Sequence, residues 1–306
     1  MNARKQFSEI GWALTIFYLI SAGLQLLYSV FLEHFGHLLP GYVWTDDCFM
    51  IVAQIIMYGI AFPVFCLLIR RIPSWYKEEK RRISAGQFFV ALILCMGMAY
   101  VGNIIGQVLM LISNLVLGTN SINPVTSAVM NMSPWIMLFS TVIAAPIVEE
   151  LMFRKFLIDR LVPYGQKTAV VVSGLAFGMF HGNFYQFFYA FSLGMIFAYL
   201  YSYTGKIRYN IMLHMGINMI GGMIPLLLQK GMENGSLLAW IGTAVMGFAM
   251  IISIISAIVT LCIILGRLTW FPAWDRPEKG LLRSVFTSSG VWAFLIICIV
   301  EFAMMF

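Results

Sequence analysis

Charge is what this sequence has least of. Only 10% of its 306 residues are Asp, Glu, Lys or Arg, against about 25% in a typical soluble domain, and 61% are hydrophobic. So little charge cannot clothe a soluble surface, and a water-soluble enzyme is excluded. Cysteine is scarce as well. Cys48, Cys66, Cys95, Cys262 and Cys298 show no C-x-x-C spacing, and all but Cys48 fall within apolar runs. They read as small packing residues, which excludes a disulfide framework or a zinc knuckle. Solenoid-type repeats, low-complexity tracts and flexible linkers are also lacking.

What the sequence has instead is long apolar runs. A bilayer core of about 30 Å needs roughly 20 apolar residues in a helix. Nine runs are candidates: Ile10 to Leu32, Phe49 to Ile69, Gln87 to Leu117, Trp135 to Phe156, Thr168 to Phe180, Phe184 to Tyr203, Ile207 to Leu228, Leu238 to Leu265 and Val291 to Phe306. The fourth carries charges at its end and the fifth is short. The first follows Arg4 and Lys5 but is too long for a signal-peptide core, so a retained anchor is expected. The fold class expected is all-α: a polytopic bundle of eight or nine transmembrane helices, one membrane domain over residues 1–306.

Basic residues orient such a bundle. With a cytoplasmic N-terminus and nine spans, 18 of the 19 basic residues fall in inner segments and only Lys230 lies outside. The net charge of +6 is therefore read as an orientation signal, with the C-terminus outside. The cluster from Arg70 to Arg82 also suits anionic lipid headgroups. Nucleic acid is not expected as a partner. The protein is expected to be an integral multi-pass membrane protein, in the plasma membrane if the host is bacterial. Its oligomeric state leaves no mark in the sequence.

An ionisable group inside a bilayer costs at least about 2.5–3.5 kcal/mol, so each one needs a reason. The candidates are Glu149, Glu150 and Arg154 in the fourth run, His181 at the end of the fifth, His214 with Asn218 in the seventh, and Glu301 in the ninth. Glu150 and Arg154 are four apart, the helical spacing of an ion pair. Glu149 lies about 100° round the helix, leaving it as the unpaired acid. His214 and Asn218 share one helix face. His34 and His37 fall in the first outer loop, where solvated surface is expected. Gly174, Gly178 and Gly182 recur at one-turn spacing and suggest close approach by another helix.

Three motifs now stand in order: E-E-x-x-x-R from Glu149 to Arg154, F-x-x-x-H from Phe177 to His181, and H-x-x-x-N from His214 to Asn218. The set resembles the CAAX protease and bacteriocin-processing family, also called the Abi family, whose best-studied members resemble type II CAAX prenyl endopeptidases. The resemblance covers about residues 135–228, a motif-bearing core, with 1–134 and 229–306 as peripheral helices. It implies an intramembrane, glutamate-dependent peptidase. Glu149 would activate water, His181 would position it, and His214 with Asn218 would hold the oxyanion, while Glu150, Arg154 and Phe177 would support them. No cofactor is implied. The residues themselves supply a base and donors of the kind amide hydrolysis needs.

Alternatives remain open at this level. Glu149, His181 and His214 are also plausible zinc ligands, although no H-E-x-x-H helix is present. The chain could instead be a non-proteolytic scaffold or a bacteriocin-immunity factor, or a transporter, for which no inverted repeat is visible. The substrate expected is a membrane-associated or lipidated peptide or protein. Depth poses a problem, since His181 is fourteen residues beyond Lys167 but His214 only six beyond Arg208. Straight upright helices would hold them apart. A tilted fifth helix, or one starting deeper after a non-spanning segment from Ile158 to Lys167, is expected, with the site opening to the cytoplasm.

Overall fold

The computed structural model describes residues 2–74, 81–123, 128–273 and 280–306, and among them every regular element is helical. In chain order the main helices are α1 (Ala3–Leu38), α2 (Asp46–Ile69), α3 (Ala85–Leu117), α4 (Pro134–Tyr164), α5 (Gln166–Phe180), α6 (Phe184–Thr204), α7 (Ile207–Glu233), α8 (Leu237–Arg267), α9 (Leu281–Phe286) and α10 (Ser289–Ala303). Seven of them, α1 to α4 and α6 to α8, are long and apolar enough to cross a membrane. This is a polytopic helical membrane protein. Helices α5 and α10 have 15 residues each. At about 1.5 Å per residue they reach about 22 Å, short of a full hydrocarbon core of about 30 Å. Lys77, Lys80, Arg276 and Lys279, four of the basic residues assigned to the inner side, lie outside the described residues, as do residues 124–127 of the expected outer loop.

The chain divides into two compact units: Met1–Ser74, Ile122–Ser140 and Pro277–Val300 in the first, Trp75–Ser121, Thr141–Arg276 and Glu301–Phe306 in the second. In the first unit α1 packs on α2 through Phe17 and Phe65, whose rings meet edge to face at 6.3 Å. Near its start α1 also meets α10. A Cβ on Gly11 would run into the backbone of Gly290, and one on Gly290 into the carbonyl of Ser8. Serines close the edges of this seam: Ser8 Oγ lies 3.1 Å from Ser289 Oγ, the Gly290 N–H donates to Ser8 Oγ at 3.2 Å, and Ser288 Oγ donates to the Arg4 carbonyl at 3.0 Å. Lipid is as apolar as leucine, so close approach and hydrogen bonds, rather than hydrophobic burial, hold such helices together. Helix α1 continues through the position of His34, which is exposed on its last turn instead of lying in a loop.

The second unit is built around α3. Ser84 and Gln87 form a reciprocal cap at its start, and Gly118, at φ 67°, ends it in the left-handed conformation. Gly97 lets the backbone of Ser253 on α8 come close, and Gly102 does the same for Tyr189 on α6. Between these helices lies a core of Cys95, Met96, Leu193, Phe197, Leu213 and Ile217. Helix α8 buries only Ala239 and Ala257 along Leu237–Ile264, leaving an apolar outer surface of the kind lipid covers. Helices α5 and α6 form a hairpin. Gly174 and Gly178 admit Met195, Phe191 and Phe187 of α6 at close range. Gly182, the third glycine of that spacing, is not part of the contact; at φ 63° it makes the turn between the helices.

Hydrophobic periodicity does not reveal one feature of these helices. Four stretches widen to π-helical turns: Ile55–Ala61, Leu138–Ala144, Leu151–Phe156 and Met219–Met223. Three of them are followed two residues later by a proline, at Pro63, Pro146 and Pro225. Proline brings no N–H and crowds the carbonyl one turn back, and a wider turn relieves that crowding.

Candidate active site

All the side chains singled out by the three motifs lie in the second unit, on α4, at the end of α5 and on α7. Glu150 is fully buried and has three partners: Arg154 Nε at 3.2 Å, His214 Nδ1 at 3.0 Å and Asn210 Nδ2 at 3.3 Å. An ionised carboxylate can only accept, so His214 carries a proton on Nδ1 and presents Nε2 on the other side of the ring. There Nε2 faces the Glu149 carboxylate at 3.8 Å. Two successive residues of one helix therefore address opposite nitrogens of one imidazole. The expected Glu150–Arg154 pair is present, but Glu149 is not solitary. Its side chain keeps 19% of its surface exposed while that of Glu150 keeps none, so Glu149 is the more open of the two carboxylates.

Arg154 is buried among aromatic rings. Its guanidinium sits 4.3 Å over the ring of Phe177 and 5.3 Å from that of Phe197, while Nε, Nη1 and Nη2 make no hydrogen bond among the described residues and the link of Nε to Glu150 is an ion pair. Ring faces take the place of acceptors, a favourable contact for a delocalised cation out of water. Phe177, 1% exposed, also abuts both histidines, with ring centroids 4.9 Å from His181 and 5.8 Å from His214.

His181 is fixed by its own helix. As α5 ends, the backbone N–H of His181 turns to the Gly178 carbonyl, and His181 Nδ1 donates to the Phe177 carbonyl at 2.7 Å. A carbonyl only accepts, so Nδ1 carries the proton and Nε2 remains as the acceptor of the ring. Asn218 is fixed by α4: its Nδ2 donates to the Thr141 carbonyl at 2.8 Å. Thr141 lies in the π stretch five residues before Pro146, the partner that a π turn would require and that proline, lacking an N–H, cannot be. The Asn218 amide takes up that carbonyl with one proton and keeps its second.

The structure thus joins Glu149, Glu150, Arg154, Phe177, His181 and His214 through a chain of direct contacts, and ties Asn218 to the same helix as the two acids. His181 and His214 are brought together, both against the ring of Phe177. The segment from Ile158 continues α4 as far as Tyr164, and Gly165, at φ 98°, turns the chain into α5. Sequence reasoning missed Asn210, which is fully buried and also donates to the Phe197 carbonyl at 2.7 Å. The signal was available, because positions 210, 214 and 218 repeat at four-residue spacing on one face. Glu301 sits half-buried on α10, away from the motif helices in sequence, and takes no part in these contacts.

Among the described residues no three His, Cys, Asp or Glu side chains gather as a metal shell, and the Nδ1 atoms of both histidines are committed to Glu150 and to the Phe177 carbonyl, which leaves each Nε2 open. All five cysteines are free thiols, as their scatter implied.

A protein-family model described as type II CAAX prenyl endopeptidase Rce1-like matches residues 131–220. The match takes in all three motifs and agrees with the family that they resemble. No match was found among curated proteins or among solved structures.

Proposed function

We propose that this chain, through its Rce1-like domain, is an intramembrane endopeptidase that hydrolyses a peptide bond in a membrane-associated or lipidated peptide or protein, on the cytoplasmic side. The observation that carries this reading is the His214 imidazole, held by Glu150 through Nδ1 and facing the more open Glu149 through Nε2. In the proposed reaction Glu149 takes a proton from water, which attacks the scissile carbonyl carbon. The carbonyl electron pair moves onto oxygen, where the second amide proton of Asn218 and, when the ring between its two carboxylates carries a proton on both nitrogens, His214 Nε2–H stabilise the oxyanion. Glu149 then passes its proton to the leaving nitrogen as the C–N bond breaks, and the carbonyl re-forms as a carboxylic acid. His181 Nε2, an acceptor in the tautomer set by Phe177, orients the water.

Two further elements support this division of roles. Glu150 is saturated with partners and out of reach of water, so it serves as an anchor and not as the base. Arg154 offsets its charge, and a buried charge without its partner is costly. The site is proposed to work without a metal.

The test uses the full chain in detergent or nanodiscs with prenylated and acylated reporter peptides. Cleavage is expected in the wild type, to survive a strong chelator, and to fall by about 10²- to 10⁴-fold in Glu149→Gln, the range for loss of a general base. Loss of cleavage on chelation would favour the zinc reading. A Glu149→Gln protein that kept the full cellular phenotype would favour a scaffold or immunity role.

A further inference from the structure

The first turns of α6 carry polar groups that the proposed mechanism leaves unused. Asn183 caps the helix, and its Nδ2 donates to the backbone carbonyl of His181 at 2.7 Å. That carbonyl can only accept, which fixes the orientation of the Asn183 amide. Asn183 Oδ1 then accepts the Gln186 backbone N–H at 2.9 Å, and Nδ2 also donates to Gln186 Oε1 at 2.8 Å. This in turn fixes the amide of Gln186, whose Nε2 is left to donate to the Tyr189 phenolic oxygen at 2.6 Å. Every donor in the chain His181, Asn183, Gln186, Tyr189 is assigned by the one before it. At its end a phenol accepts a hydrogen bond and has its own proton left to give.

Where that proton can go follows from the surroundings of Tyr189. Its ring lies 6.4 Å from the His181 ring, steeply inclined to it at 69°. Its hydroxyl is within electrostatic reach of Glu149, with no direct hydrogen bond between the two. The backbone at Tyr189 is pinned by Gly102 of α3, where an added Cβ would collide with Tyr189 N. A phenol held rigidly, oriented by a directional chain, and near both the base and the water-positioning histidine is placed to serve the water between them.

We propose that Tyr189 is a further catalytic residue of the hydrolysis, donating its phenolic proton in a hydrogen bond to the oxygen of the water that Glu149 activates, with Gln186 setting the direction. The proposal rests on the endopeptidase reading. The hydrogen bond holds the oxygen before attack and stays on it in the tetrahedral intermediate, and Tyr189 neither gains nor loses a proton.

The test compares Tyr189→Phe, which keeps the ring and removes the hydroxyl, with Gln186→Glu, which turns the donor at position 186 into an acceptor and draws the phenolic proton away from the site. Each is expected to lower kcat about tenfold to hundredfold with KM changed less than about twofold, between the effect of one net hydrogen bond and that of one preorganised oxyanion donor. The double variant is expected to be no worse than Tyr189→Phe alone, because both changes remove one interaction. Full kcat in Tyr189→Phe, or additive losses in the double variant, would overturn the proposal. If the wild type cleaves and Glu149→Gln does not, while Tyr189→Phe is fully active, this inference fails and the endopeptidase reading stands. A wild type that cleaves no substrate overturns both. If Tyr189→Phe folds poorly, 3-fluorotyrosine at position 189 gives a readout without substrate. Its fluorine resonance is expected to shift in Glu149→Gln, and an unchanged resonance would count against the proposal.

Discussion

Where α1 meets α10, Gly11 and Gly290 bring two backbones together and serine hydroxyls fill the edges. Where α4 meets α7, Glu150, Arg154, His214 and Asn210 meet in full burial. The first contact depends on side chains being absent. It fails by crowding, because even a Cβ on Gly11 or Gly290 would collide with backbone. The second depends on each side chain being present and fails by subtraction. A seam of small residues suffices to pack helices in lipid. Charges at the other contact each cost at least about 2.5–3.5 kcal/mol to insert, so packing alone does not account for them. The contrast separates a contact explained by packing from one that packing does not explain.

The sharpest way to break the comparison is at Arg154. Arg154→Met is expected to leave the Glu150 carboxylate buried without its cation and to cost about 3–5 kcal/mol of stability, read as thermal unfolding in detergent. Adding Glu150→Gln should recover a large part of that loss; no recovery would mean that Arg154 is held by its aromatic neighbours rather than by the acid. At the other contact, Gly290→Ala is expected to lower stability by about 1–3 kcal/mol through overpacking, with cleavage per folded molecule unchanged. A fall in specific activity would show that the seam also shapes the site. The smallest effect is expected at the prolines. Pro146→Ala supplies an N–H that competes with Asn218 for the Thr141 carbonyl, and is expected to slow cleavage about twofold to tenfold, the equivalent of one net hydrogen bond. Pro63→Ala, at the matching place in the first unit, should leave the rate alone.

Much of the second contact was legible beforehand, because i, i+4 spacing reports on one helix at a time. The Glu150–Arg154 pair and the shared face of His214 and Asn218 are of that kind. The bond from His214 to Glu150 spans 64 residues and two helices, and no local pattern carries it. Hence Glu149 was read as solitary, when both acids address one ring. Phe177 was legible as a motif letter, but not as the ring beneath Arg154 or the carbonyl that sets the tautomer of His181. Nine apolar runs were legible as helices; two of them, α5 and α10, have 15 residues each, short of a full hydrocarbon core. Gly182 was placed on a contact face because it continued a spacing, although its φ of 63° marks a turn.

The π stretch from Leu138 to Ala144 has a consequence for comparing this chain with its relatives. A widened turn accommodates one more residue than the α-helix around it, and in an α-helix one residue is about 100° of rotation. Deleting a single residue there would keep every letter of E-E-x-x-x-R and let the turn close to an ordinary α turn, with the two halves of the helix still in phase. Alignments through this helix should therefore permit a gap in its middle, a place where gaps are ordinarily penalised. The motif is defined by its reading frame along the helix as much as by its residues.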